Sequence, residues 1–316
     1  MRRTRTTFKL VCPVCKNDRH WQSAREAFYL WRICRCCDAW VLASSDQTKA
    51  YPKEYYGGSA AKFTGLAYTF RRHFHRARAR SVLHWVQGHA GIIYDLGCGD
   101  GLFLEAILKS GFPAYGYEPE AVPREQAEQR LKKRLDSKLR TALTRPRFSA
   151  ITCWQVIEHI RDPQKLLQWV RRNLVDGGLL AISTVNLDSV QAKMFGTHWL
   201  HLDPPRHFWV GSKSSVVAML TGAGFKILGI RHRPLEFGPV GWVDSLMNLF
   251  DPERDRLLRC LKRGCHGPKD RVVWLLSAIL SPLAVVLSLA ESLAGRPATF
   301  EIYARVENKG ARRQGG

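Results

Sequence analysis

The chain has 316 residues and carries 49 Lys+Arg against 27 Asp+Glu, a formal net charge of +22. With 45% hydrophobic residues, ten Trp and fourteen Phe, it can bury enough apolar surface to fold, which excludes wholesale disorder. Its length fits one large domain or two ordinary ones. Its basicity points to nucleic acid, an anionic membrane surface or an acidic substrate.

Five of the nine cysteines fall between Cys12 and Cys37, and no apolar stretch of signal-peptide length precedes them. A clustered, paired set of this kind is expected to ligate metal in a reducing cytosol rather than to form disulfides. Cys12-Pro-Val-Cys15 and Cys34-Arg-Cys-Cys37 make two C-x2-C knuckles separated by 18 residues. Two knuckles supply four sulfurs to a tetrahedral zinc with no open position, so the metal is structural. The expected ligands are Cys12, Cys15, Cys34 and Cys37, with Cys36 able to replace either of the last two.

A zinc ribbon over 1–50 is thus followed by a region spanning 51–90, whose first part, 51–62, is a turn-rich linker. Phe63, Leu66, Phe70 and Phe74 then recur at helical spacing. Arg71, Arg72, Arg76, Arg78 and Arg80 share that helix. They predict a solvated basic face, with a membrane- or RNA-binding face as the alternative. From residue 92 strands alternate with helices, which predicts a parallel sheet with crossovers over 91–233. Strands are expected at Ile92–Leu96, Ala114–Glu118, weakly within 138–143, at Ser149–Trp154, Gly178–Val185, Phe225–Arg231 and Thr299–Val306. Helices are expected at Leu102–Lys109, Arg124–Arg134 and Pro163–Leu174, and from Ser212 to Thr221. An insertion occupies 234–297, the last strand lies in 298–308, and a basic tail follows at 309–316.

Asp95-Leu-Gly97-Cys-Gly99-Asp-Gly101 joins the first of these strands to its helix. Glycines there let the backbone turn sharply and approach a ligand closely. The next strand ends in Tyr117-Glu118-Pro119, where an acid can accept both hydroxyls of a ribose. The Gly-x-Gly-x-Gly spacing differs from the NAD fingerprint.

Together with Val156-Ile-Glu-His-Ile160-Arg-Asp-Pro163 and Pro205-Arg-His207, these segments resemble the UbiG-like class I S-adenosylmethionine-dependent methyltransferases. The Cys cluster followed by Tyr55-Tyr56 resembles the zinc ribbon many of those enzymes carry in front. The resemblance covers roughly residues 10–230 and the last strand. It implies a Rossmann-like, doubly wound, mostly parallel α/β sheet of seven strands, the last two forming an antiparallel hairpin. It also implies that Asp95, Gly97, Gly99 and Gly101 surround the methionine moiety of S-adenosylmethionine. Glu118 would hold its ribose, and Gln155 would line the same pocket. Ser149 stands where the family usually has Asp, and no clear acid follows the weak third strand.

A sulfonium methyl is already activated, so the enzyme aligns a nucleophile and removes its proton, and His suits that task for a hydroxyl. His159 and His207 are the candidate bases, ahead of His198 and His201. Asp203-Pro-Pro-Arg206 lies after the fifth strand, not the fourth, and lacks the aromatic of an amino-group methyltransferase motif. Oxygen methylation leads, with nitrogen or carbon acceptors open.

Within the insertion Val272–Ala290 is nineteen residues without charge, long enough to span a bilayer. A single span would leave the last strand across the membrane from its partner. Pro282 suggests a kink or hairpin. Monotopic attachment to the cytoplasmic face of an anionic membrane is favoured over soluble packing or a true span. The acceptor is then expected to be a lipid-linked, isoprenoid or glycan-related hydroxyl, with an RNA methyltransferase as the alternative.

Overall fold

The computed structural model describes residues 10–26, 29–43, 65–86, 91–251, 253–263 and 267–307. The linker at 51–62, Phe63 and the tail at 309–316 lie outside the described residues. Three antiparallel strands come first: β1 (Trp21–Glu26), β2 (Tyr29–Cys34) and β3 (Trp40–Leu42). Helix α1 (Gly65–Val86) leads into the alternating region. That region runs β4 (Ile93–Leu96), α2 (Leu102–Lys109), β5 (Ala114–Tyr117), α3 (Ala121–Leu131), β6 (Phe148–Trp154), α4 (Pro163–Asn173) and β7 (Leu174–Val185). After it come α5 (Val190–Phe195), β8 (Trp209–Val210), α6 (Lys213–Gly222) and β9 (Phe225–Arg231). The insertion forms α7 (Pro234–Met247), α8 (Arg256–Arg263) and α9 (Pro268–Leu293), and β10 (Thr299–Val306) closes the fold.

The main sheet has the order β5-β4-β6-β7-β10-β9. β5, β4, β6 and β7 are parallel, while β10 runs antiparallel to both β7 and β9. Every residue of β6 is buried, as a central strand covered on both faces requires. The helix boundaries follow local chemistry. Ser212 caps α6 by accepting from the Ser215 N–H, and Asp162 caps α4 by accepting from Lys165, with Pro163 at the first turn.

The third strand expected within 138–143 does not form. Leu139–Thr144 is a 3-10 turn, and the edge carries a single bridge between Tyr117 and Asp136. The main sheet therefore has six strands among the described residues instead of seven. In that turn only Ala142 is buried, so the segment has no apolar face to dock as a strand.

The basic helix also departs from expectation. Arg71 makes two hydrogen bonds to Asp100, and Arg78 is buried between Glu236 and Glu301. Two of its arginines thus tie α1 to the glycine loop, the insertion and β10 instead of facing solvent. Pro282 does not break the chain into a hairpin, because α9 continues through it. One residue before the proline, the Ser281 hydroxyl donates back to the Ser277 carbonyl. Helices α7 and α9 pack closely: a Cβ on Gly238 would lie 2.6 Å from Ser288 Oγ. The outward side of α9 stays uncovered, with Leu275, Ile279, Leu283, Val286 and Leu293 exposed. Of its most apolar stretch, 22% is buried.

Candidate active site

The C-terminal ends of the parallel strands meet at one edge, the usual ligand crevice of an open α/β sheet. β4 delivers Asp95, which is buried and accepts from the Thr152 hydroxyl at 2.6 Å. Burial pushes its carboxyl up to about 7, against that hydrogen bond. The loop after it turns through Gly97 at φ +68° and Gly99 at φ +55°. A Cβ on Gly97 would lie 2.6 Å from Val156, whereas one on Gly99 would meet nothing within 4 Å. The first glycine is needed for packing, and the second faces space a ligand can fill. Gly101 ends the loop ahead of α2. Glu118, just past β5, reaches back across this loop and accepts from the Gly99 N–H at 2.9 Å. Gln155 follows β6 at φ +54°, a costly conformation for a non-glycine residue, and is held there by N–H bonds to Ser183. Asp95 thus opens the glycine loop and Glu118 bonds to it, while Gln155 lies just past the adjacent strand β6.

Beyond Gln155 the chain makes a 3-10 turn at Ile157–His159. Glu158 is fully buried: its Oε2 accepts from Thr184 at 3.0 Å, and its Oε1 has no hydrogen-bond partner. Burial pushes this carboxyl up to about 7. His159 donates Nδ1–H to the Arg206 carbonyl at 3.0 Å, and His207 donates Nδ1–H to the His201 carbonyl at 2.9 Å. The two rings meet edge to face, and one ligand atom each from Glu158, His159 and His207 lies within 4.8 Å of the others. Burial, with the neighbouring His159 and Arg206, holds His207 well below the ordinary imidazole range, so it is neutral at physiological pH.

The two lesser histidines are placed elsewhere. His198 is exposed, and His201 stacks edge-on between Trp199 and Phe237, its ring pushed down to about 4 by burial. Glu158 was the member of this cluster that sequence reasoning passed over, although it stands beside His159 in the quoted motif. A second acid was missed as well. Asp136 sits at the vacant third-strand edge, but it accepts from Tyr94 and pairs with Arg145.

In the ribbon, Cys12, Cys15, Cys34 and Cys37 bring their sulfurs within 4.8 Å of one another. The Cys12–Cys37 and Cys15–Cys34 pairs lie at 3.6 and 3.5 Å. These separations are too long for a disulfide and close to the roughly 3.8 Å edge of a tetrahedron with zinc–sulfur bonds of about 2.3 Å. Cys12 is held well below the usual thiol range, chiefly by the hydrogen bond from the Cys37 thiol. Cys15 and Cys37 are shifted the opposite way, Cys15 by burial and Cys37 by its bond to Cys12, so it is the tetrahedral spacing of the four sulfurs that fits a cation. Cys36 is exposed and outside the cluster, so the second knuckle uses Cys34 and Cys37.

The strand order with its antiparallel final hairpin, and the acids and glycines at one edge, define a class I methyltransferase fold. Residues 66–229 match the family model described as a methyltransferase domain, and the chain belongs to that family. Among curated proteins it is 32% identical over 106 residues to the ubiquinone biosynthesis O-methyltransferase of Histophilus somni, covering 30% of this chain and 44% of that protein. It is 27% identical over 167 residues to the enzyme of the same name from Cereibacter sphaeroides, covering 49% of this chain and 67% of that protein. The chain therefore spans less than half the length of the first of these relatives. A putative sarcosine dimethylglycine methyltransferase from Galdieria sulphuraria shares the fold at 13% identity, with a TM-score of 0.50 over 80% of this chain and 96% of that one.

Proposed function

We propose that the chain is an S-adenosylmethionine-dependent O-methyltransferase acting on a lipid-linked, isoprenoid or glycan-related hydroxyl at the cytoplasmic face of a membrane. The observation that carries the chemistry is the Glu158–His159–His207 cluster beside the glycine loop. Asp95 and the loop glycines receive the methionine end of the cofactor, Glu118 takes its ribose, and Gln155 lines the pocket. The acceptor oxygen attacks the sulfonium methyl in line as His159 takes its proton. The carbon–sulfur bond breaks with its electron pair going to sulfur, leaving S-adenosylhomocysteine and a methyl ether. His207, too strongly desolvated to be a good proton acceptor, orients the acceptor.

A second way to ionise the hydroxyl draws on the same groups. Both imidazoles give Nδ1–H to main-chain carbonyls, and Glu158 Oε1 is buried without a partner, which is the outer-shell pattern of a cation site. Glu158, His159 and His207 would then hold a divalent cation that polarises the acceptor oxygen.

The membrane reading is supported by the uncovered apolar side of α9, with exposed Arg271 and Trp274 at its start. Against RNA stands the use of Arg71 and Arg78 in internal ion pairs. Methyl-labelled cofactor, supplied to the full chain with lipid, glycan and RNA extracts, is expected to label the lipid-soluble fraction. Label confined to RNA would overturn the assignment.

A further inference from the structure

The ribbon is not an appendage, because its fold is finished by the domain it precedes. β3 pairs antiparallel with β8, Val41 opposite Trp209 and Trp40 opposite Val210. β8 begins two residues after His207. Just ahead of it, Phe208 is gripped from both sides. Its carbonyl accepts from the Leu42 N–H at 2.9 Å, and its own N–H donates to the Glu158 carbonyl at 2.9 Å. Ribbon backbone, the His207 segment and the Glu158 turn are therefore linked through one peptide group on each side. The indole N–H of Trp209 donates to the Ile160 carbonyl at 3.0 Å, fixing the far end of the same turn.

The first knuckle makes a separate hold. Gln164 Nε2 donates to the Val14 carbonyl at 2.8 Å, and Lys16 pairs with Asp162 at 3.0 Å. Gln164 and Asp162 open α4, immediately after the turn that carries His159. Between the two holds lies a shared apolar core in which Cys12, Val14, Cys34 and Val41 pack with Ile157 and Trp209. One knuckle thus reaches the His159 side and the other, through β3, reaches the His207 side.

We propose that the ribbon, closed by its four thiolates on a metal, is a clamp that sets the spacing of His159 and His207. Leu42, Val14 and Lys16 act as positioning residues. The inference rests on reading the Glu158–His159–His207 cluster as the acceptor-activating group, and it assigns the ribbon no nucleic acid. Hydrogen bonds from a three-residue strand and one side chain are weak alone. They fix geometry only if the knuckles behind them are rigid, and four sulfurs on one zinc supply that rigidity.

The test compares the zinc-loaded full chain with the chelator-stripped chain and with Cys15→Ser. Imidazole nitrogen spectra are recorded for His159 and His207. In the loaded protein both rings are expected to show a single Nδ1–H tautomer. Stripping or Cys15→Ser is expected to abolish that pattern at both rings and to lower kcat about tenfold or more, because small misplacements at a reacting centre are costly. Cofactor affinity, which depends on the glycine loop and Glu118, is expected to stay within about twofold. Lys16→Ala should loosen His159 alone, and Lys16→Arg should restore it. Unchanged imidazole spectra in the stripped protein would overturn the proposal. So would cofactor affinity falling in step with kcat, which would make the ribbon a general stability element. Full turnover by both His159→Ala and His207→Ala would instead remove the role given to the cluster, while the spectra of the native chain would still decide the clamp.

Discussion

The imidazole of His159 stands edge-on to that of His207, with ring centroids 4.7 Å apart and planes inclined at 61°. One ring comes from the turn after β6 and the other from the segment before β8, and each spends its Nδ1–H on a carbonyl. One ligand atom of each ring lies within 4.8 Å of a Glu158 carboxylate oxygen.

Two mechanisms share these atoms, and single substitutions separate them. If His159 is the base, His159→Ala should cut kcat by about 10²–10⁴ while His207→Ala costs about tenfold. If the three groups hold a cation, then Glu158→Gln, His159→Ala and His207→Ala should all fall to a similar low rate. Treatment with a chelator should then abolish turnover, and added divalent ion should restore it. Turnover measured on one acceptor for the three variants decides between them.

Cofactor affinity should depend on pH through Asp95. Its carboxyl is raised by burial to about 7, so the free protein binds a proton there below neutrality. A cationic cofactor favours the ionised form, so binding expels that proton. Affinity is expected to be highest above pH 7 and to fall as the pH drops through 7. Asp95→Asn should bind more weakly and lose that dependence. A titration series across this range checks both points.

The second knuckle uses two of the three cysteines in Cys34–Cys37. Cys34→Ser should lower zinc content and unfold the ribbon, whereas Cys36→Ser should leave metal content and melting temperature unchanged, because Cys36 is exposed and outside the sulfur cluster. Metal analysis of the two purified variants is sufficient.

Arg78 is 3% exposed and serves Glu236 and Glu301 together. Arg78→Ala would take the ion-pair partner from buried Glu236 and leave Glu301 to Arg233, a change that costs about 3–5 kcal/mol. The loss should be read in denaturant midpoint and should be partly relieved in Arg78→Ala/Glu236→Gln.

Ile279 and Leu283 lie on the uncovered side of α9, 64% and 57% exposed. Ile279→Asp with Leu283→Asp should leave stability within about 0.5 kcal/mol, since neither side chain is in the core. The same pair should reduce co-sedimentation with anionic vesicles by about tenfold or more, as the buried apolar area is lost and charge of the wrong sign is added. Equal sedimentation of both proteins would remove the membrane from the proposed function.

The periodic part of the fold was legible because its signals are local. Leu102–Lys109 and Thr299–Val306 have the expected bounds, and Ser212 caps the helix it was assigned. The vacant third strand was harder to read, since a weak strand and a 3-10 turn differ mainly in whether a neighbour offers a surface to dock on. The basic helix misled for a related reason. Nothing near Arg78 in sequence reveals that its partners are Glu236 and Glu301, which other elements bring to it. Pro282 was read as a break because it removes a donor, but one missing donor does not end a helix whose other turns are intact and whose inner side packs on α7. At the site, His159 and His207 were named from residue chemistry. Their convergence, and the unpartnered oxygen of Glu158, exist only once the loops are folded.

The position of β10 also orders events during synthesis. Thr299 pairs with Val185 and Glu301 with Arg231, so this late strand fills the gap between two that are made long before it. Until it arrives, β7 and β9 each present an unpaired edge, while α7, α8 and α9 are already synthesised. Closure through such distant pairings is slow, and open edges invite wrong partners. Under the proposed membrane reading, the apolar helix is made before the sheet is whole, so attachment to lipid can precede closure of the fold.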